Sequence, residues 1–239
     1  TDSGLGFGAA INAAYKKEKF PITPLKNVFL GPEFSDAEIE EVLLTHCVDY
    51  NKPENLSKEA AKILSKGKVL ARFDGRLEYG PRSLGNRSIL YQTTDKTVNN
   101  WLNKKLKRTE FMPFAPITME EYFGECYQID GKDINTYNFM TITIDCTEKM
   151  KSISPAVVHI DGTARPQLVS KTNNHELYEI LYNYHQLTNI PSLINTSFNP
   201  HEEPIVCNPN EALKAFIDCQ LDFLIIGSYL VKGKTNNTL

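Results

Sequence analysis

The sequence holds no CxxC pair, no HExxH, no GxSxG and no GxxxxGK[ST]. Those absences remove a paired-thiol redox centre, a helical zinc site, a hydrolase nucleophile elbow and a P-loop. The five cysteines, at 47, 126, 146, 207 and 219, are odd in number and widely spaced, which argues for a reducing, cytoplasmic setting. The five histidines are equally scattered, so a complete zinc site within the chain is not expected, and His159 and Cys207 read as structural. No apolar run approaches the roughly 20 residues that cross a bilayer, so no membrane span is expected. Thirteen glycines and thirteen prolines in 239 residues are too few for a collagen-like or low-complexity chain. With 41% hydrophobic residues and a net charge of −3, the chain is too apolar and too nearly neutral to be disordered. Thr1 rather than Met stands first, ahead of a Gly-rich stretch, and the chain reads as part of a longer protein.

What is present is unevenly spread. Residues 66–108 carry eleven basic residues against three acidic ones, a local +8 that leaves −11 for the remainder. Charge concentrated in this way points to a small anionic ligand in a local pocket, with a nucleic acid spread over the surface less expected.

Periodicity and punctuation predict the elements. Ser35 with Glu38 forms a capping-box pattern for a helix to about Cys47. A second helix follows near Ser57, with Leu56, Ala60, Ile63 and Leu64 on one face and Gly67 as its stop. Further helices are expected over residues 95–106, 174–187 and 209–219, and strands at 69–71, 138–144, 156–160, 164–169, 192–194 and 222–226, the last ending the core. Helices and strands are interspersed without a regular βαβ repeat, which places the chain in the α+β (mixed α/β) class.

Four segments carry chemistry. The opening TDSGLGFGAAINAAY sets three glycines before a run of helix-forming residues, a turn that either cradles phosphate on its backbone N–H groups or packs tightly. GPRSLGNRSIL, residues 80–90, puts Arg82 and Arg87 in a glycine-bounded loop, where they either converge on one anion or join a carboxylate network. LKRTEFMPFAP, residues 106–116, places Lys107 and Arg108 before Phe111, Met112 and Phe114, which are either core or an apolar wall beside a purine. Neighbours on an extended chain point oppositely, so Lys107 and Arg108 reach one ligand only through a bend. IPSLINTSFNPHEEPIV, residues 190–206, runs an apolar strand into Asn195, Ser197 and Asn199 on one face, with Phe198 on the other. These polar groups either orient a phosphate or carbamoyl group or simply turn the chain.

Together, in this order, the last three motifs resemble the carbamoyltransferase family that includes nodulation-factor and antibiotic O-carbamoyltransferases, over most of residues 68–230. The resemblance implies a YrdC/Sua5-like twisted sheet with flanking helices over residues 49–239, which activates carbamoyl phosphate with ATP as carbamoyl-adenylate. Through the opening TDSGLGFGAAINAAY, residues 1–48 resemble the helical C-terminal remnant of a Kae1-like domain, with the actin/Hsp70-type ATPase fold, and a linker; that domain transfers the carbamoyl group to a hydroxyl of a small molecule or sugar.

By that resemblance Lys107, Arg108, Ser197 and Asn199 are the catalytic residues, and Arg82, Asn86, Arg87, Asn195 and His201 bind carbamoyl phosphate and ATP. Mg²⁺ is the implied companion of ATP. Asp2 is the counterpart of a metal ligand, part of a site for Fe²⁺ or another divalent ion completed by residues outside this chain. The YrdC-like signature has Lys-x-Arg where Lys107 and Arg108 are adjacent, and the family often has glycine where this chain has Glu202. Alternative readings are an RNA-binding YrdC-like module and a threonylcarbamoyl-adenylate synthase.

Overall fold

The computed structural model describes residues 4–19, 27–108, 113–129, 131–200 and 202–233. Local capping starts most of the long helices. Ser35 and Glu38 close the expected capping box at the start of α2 (Asp36–Thr45), which follows α1 (Leu5–Glu18). Asn55 caps α3 (Leu56–Ser65), Asn174 caps α7 (His175–Thr188) and Asn208 caps α8 (Pro209–Asp218), each accepting the backbone N–H three residues on. Shorter helices are α4 (Val98–Lys105), α5 (Phe123–Cys126) and α6 (Glu148–Ile153).

The strands are β1 (Tyr50–Asn51), β2 (Leu70–Phe73), β3 (Arg87–Gln92), β4 (Ala115–Met119), β5 (Ile144–Asp145), β6 (Thr163–Ala164), β7 (Gln167–Val169), β8 (Ser192–Ser197), β9 (Phe223–Ile226) and β10 (Tyr229–Lys232). Eight of them form one sheet in the order β1-β10-β9-β2-β3-β8-β4-β7, and β5 pairs with β6 apart from it. The sheet is mostly antiparallel; β2 with β9 and β4 with β7 are its parallel pairs. Alternation along the strands feeds two cores. Leu70, Leu90, Leu193 and Ile225 pack under α3 and α7, while Ala71, Ile89, Ile194 and Leu224 pack with α2, α4 and α8 on the other face. The mixed α/β class and the sheet with flanking helices are therefore as expected.

Several local expectations are corrected. Residues 138–144 do not form a strand: Asp133 accepts the Asn135 N–H and starts a 3₁₀ turn over Ile134–Phe139, leaving only Ile144 of that stretch in β5. Residues 156–160 begin in a 3₁₀ turn because Pro155 fixes its φ at the first position. The core does not end at Ile226, since Gly227 (φ 54°) and Ser228 form a two-residue hairpin turn into β10. That Gly-Ser pair between FLII and YLV was the available signal.

Residues on the two sides of the boundary expected at residue 48 are in contact. Ile39 and Leu43 are buried in the core shared with the sheet, and Tyr79 donates its backbone N–H to Val28. α1 buries none of its residues.

Candidate functional site

The segment between β2 and β3 has little regular structure, yet its backbone is tied down by buried polar side chains. One carboxylate oxygen of Glu78 accepts the N–H groups of Leu84 (2.7 Å), Asn86 (2.7 Å) and Arg87 (3.2 Å). Gln167 donates to the Leu84 carbonyl, and Asn195 donates to the Ser83 carbonyl and to Gln167. Arg72 donates to the Gly85 carbonyl, and the Ser88 hydroxyl accepts the Gly85 N–H. Buried backbone groups must be paired, and here side chains supply what a ladder would. The result is a rigid turn with Arg82 exposed at its tip.

The structure separates Arg82 from its expected companions. Asn86 is only 7% exposed and engages Arg72, Asn174 and the Arg76 carbonyl, so it joins β2 to the start of α7. Arg87 is fully buried, stacked over Phe73 at 3.6 Å and donating to the Asp74 and Asn86 carbonyls. Burial pushes its guanidinium down to about 10, against the pull of Glu78. Arg87 thus sits in the interior network that the sequence left open as one of its two readings.

Lys107 and Arg108 part at the end of α4. Lys107 donates its N–H to the Lys104 carbonyl and Arg108 to that of Asn103, with Lys107 at φ 58°. This is a Schellman motif, and its left-handed residue supplies the bend that an extended chain lacks. It sends Lys107 to the surface and turns Arg108 inward. Arg108 donates to Thr196 Oγ1 (2.9 Å), Ser197 Oγ (3.3 Å) and the Ser197 carbonyl (3.4 Å). The Ser197 hydroxyl then donates to Asn199 (2.6 Å), whose amide reaches the Glu203 carbonyl. Arg108, Ser197 and Asn199 are brought together, and Phe198 faces the core at 1% exposure.

Glycine tolerates the left-handed region at no steric cost, so Lys107→Gly should keep full activity and gain about 0.5 kcal/mol of stability. Steady-state assays and thermal melts check this. A tenfold loss of turnover would place the Lys107 ammonium in the chemistry after all.

The turn and the strand ends enclose a cleft lined by Arg82, Ser83, Arg108, Arg165, Asn195, Thr196 and Ser197. Arg165 was missed: it lies 57 positions beyond Arg108, in a weak strand candidate broken by Pro166, and no local pattern marks it. Burial first, and then the nearby Arg82 cation, hold its guanidinium below the ordinary range, and burial does the same to Arg108. Among the described residues no carboxylate lines the cleft, and none of the three arginines forms an ion pair. Convergent cations without a counterion among the described residues are an arrangement that can hold an anion.

Pro113 also lines an apolar cavity of about 450 Å³ with Phe114, Val157 and Val158, and with Asn99, His159 and Asp161 among its polar groups. Arg82 and Arg165 also border a second cavity of about 470 Å³, reaching Tyr79, Met140 and Gly4 at the head of α1. Phe111, Met112, His201 and Asp2 lie outside the described residues. Glu202 holds φ 62°, a conformation favouring glycine. Among the described residues no group of three His, Cys, Asp or Glu is arranged to hold a metal ion, and no helix is long and apolar enough to cross a membrane.

Fold and cleft together define a mixed α/β domain with an arginine-lined cleft. Residues 61–233 match the carbamoyltransferase C-terminus family, and the chain belongs to that family. It is 34% identical over 240 residues to nodulation protein NolNO of Sinorhizobium fredii, covering 98% of this chain and 35% of that protein. It is 35% identical over 242 residues to an uncharacterized protein of Methanocaldococcus jannaschii, covering 98% of this chain and 39% of the relative. The chain thus spans well under half the length of these relatives. Among solved structures, full-length HypF in its phosphate- and nucleotide-bound form superposes with TM-score 0.53 at 18% identity, over 75% of this chain and 22% of that one. Sua5 of P. abyssi complexed with L-threonine gives 0.51 at 10% identity, over 74% and 47%. These likenesses are of fold, and they agree with the expected YrdC-like sheet.

Proposed function

We propose that this chain activates carbamoyl phosphate with ATP, forming carbamoyl-adenylate for transfer to a hydroxyl of a small molecule or sugar. The observation that carries the proposal is a cleft of three arginines without an ion-pair partner among the described residues, beside an apolar cavity, within a chain of the carbamoyltransferase family. Carbamoyl phosphate and the triphosphate of ATP are densely anionic, and arginine forks match phosphate oxygens. An adenine ring suits the apolar walls of Phe114, Val157 and Val158.

The chemistry balances in two steps. Water takes the phosphoryl group of carbamoyl phosphate, leaving carbamate and inorganic phosphate. A carbamate oxygen then attacks the α-phosphorus of ATP, the bond from that phosphorus to the bridging oxygen breaks, and pyrophosphate departs with the electron pair. Arg82, Arg108 and Arg165 would stabilise the charge that develops on the transferring and leaving oxygens. Ser197 would orient Arg108 and offer its hydroxyl oxygen at the cleft wall, and Asn199 would fix that hydroxyl.

Metal ions enter this reading unevenly. Among the described residues the cleft offers no carboxylate to hold Mg²⁺, so these residues do not form a protein-held site, and Mg²⁺ would come on the oxygens of ATP itself. The described residues likewise offer no set of donors for Fe²⁺.

The test is pyrophosphate release from ATP by the whole protein, with carbamoyl phosphate supplied or withheld. Release only with carbamoyl phosphate is expected. Release that needs threonine and bicarbonate instead would make the chain a threonylcarbamoyl-adenylate synthase. Silence in both, with salt-sensitive RNA binding, would favour the RNA-binding reading.

A further inference from the structure

We infer that Glu78 is the positioning residue of the arginine turn: its carboxylate holds residues 84–87 so that Arg82 faces Arg165 and Arg108 across the cleft. The inference rests on the reading of the cleft as a phosphate site. Glu78 is itself fixed on both sides, paired with Phe29 in an isolated β-bridge and followed by Tyr79, which donates to Val28. Its side chain is 6% exposed, too buried to meet a ligand directly.

Three backbone donors converge on one oxygen, Oε1, while Oε2 is buried without a partner among the described residues. A carboxylate used so one-sidedly is explained by what Oε1 does. The Leu84, Asn86 and Arg87 N–H groups follow one another where the chain bends into β3, and one anionic acceptor satisfies all three. Arg82 lies between Glu78 and Leu84, the first residue whose N–H the Glu78 carboxylate accepts, and its direction follows from the loop that they close. The negative charge has a second use, as the nearby countercharge of buried Arg87.

A residue that reaches the ligand only through Arg82 should show it in a thermodynamic cycle. Affinities of the full chain for ATP and for inorganic pyrophosphate are measured by calorimetry in Arg82→Ala, Glu78→Ala and the double variant. Arg82→Ala should weaken both probes roughly 10- to 100-fold, as expected for loss of charge-assisted hydrogen bonds. Glu78→Ala should match it, and the double variant should lie within about threefold of either single. Losses that multiply would overturn the inference.

Glu78→Gln keeps an acceptor in place of Oε1 and should restore affinity to within about fivefold of the parent. If Glu78→Ala does not fold, the cycle is closed with Glu78→Gln. Its residual loss should vanish in the Arg82→Ala background, and amide exchange at Leu84, Asn86 and Arg87 should quicken. A loss that persists, or exchange that is unchanged, would refute the role. Unchanged affinity in Arg82→Ala would instead sink the phosphate reading of the cleft, whatever Glu78 does. A loss in Arg82→Ala that the folded Glu78 variants do not share would sink the positioning role alone.

Discussion

Replacing Arg108 by alanine is expected to slow carbamoyl phosphate-dependent pyrophosphate release about 10²- to 10³-fold, the usual cost of removing one preorganised donor from a developing anion. Three features of its setting argue for an effect of this size. The guanidinium is oriented by Thr196 and Ser197, it lies 5.9 Å from the Phe114 ring centroid, and it has no carboxylate partner among the described residues. Its charge is therefore held still by two hydroxyls, as transition-state stabilisation requires. Arg108→Lys should recover little, because an ammonium cannot reproduce the fork held by two hydroxyls. Melting curves should show both variants folded, and turnover within threefold of the parent would refute the assignment of Arg108.

Gly85→Ala should produce the largest loss of stability, about 3 kcal/mol, with a fall in melting temperature of roughly 6–12 °C for a chain of this size. Two costs combine at this position. Gly85 holds φ 108°, where side chains strain the backbone, and an added Cβ would lie 2.2 Å from Leu177 Cδ2 in the fully buried contact beneath α7. Relief would have to move either α7 or the arginine turn, so nucleotide affinity should fall with stability. Gly8→Ala is the control: it lies within α1, its added Cβ meets nothing within 4 Å, and stability should hold or rise slightly. A Gly85→Ala melt within 2 °C of the parent would show that the turn is not rigid.

Part of this fold was legible because its causes are short in range. A capping box acts across three residues, so Ser35 and Glu38 announced α2 from their spacing alone. The alternation of Leu177, Ile180, Leu181 and Tyr184 announced α7 in the same way. The Thr-Ile-Thr-Ile stretch misled because a strand needs a partner. β5 finds one only in the two residues of β6, and a local Asx contact at Asp133 takes the preceding segment into a 3₁₀ turn.

The candidate site divides along the same line. Asn195 reads locally as a polar group at the end of a strand. β8 lies between β3 and β4, with Asn195 paired with Leu90 on one side and Ala115 on the other, and this places its amide where it clamps Ser83 and Gln167. Arg82 and Arg87 are equivalent in the sequence, five positions apart in one motif. In the fold one is the tip of a turn and the other is buried against an aromatic ring.

By itself the sequence determined the capped helices, the mixed α/β class, the family motifs and the concentration of positive charge in residues 66–108. Only the tertiary structure decided which of those charges share a cleft. It turned Lys107 outward and Arg108 inward, enclosed Arg87, and brought in Arg165 from outside the basic segment. The physical reason is that caps and periodicity are settled by neighbours a few residues away. The direction in which an arginine points is settled by strand pairings and buried carboxylates distant along the chain.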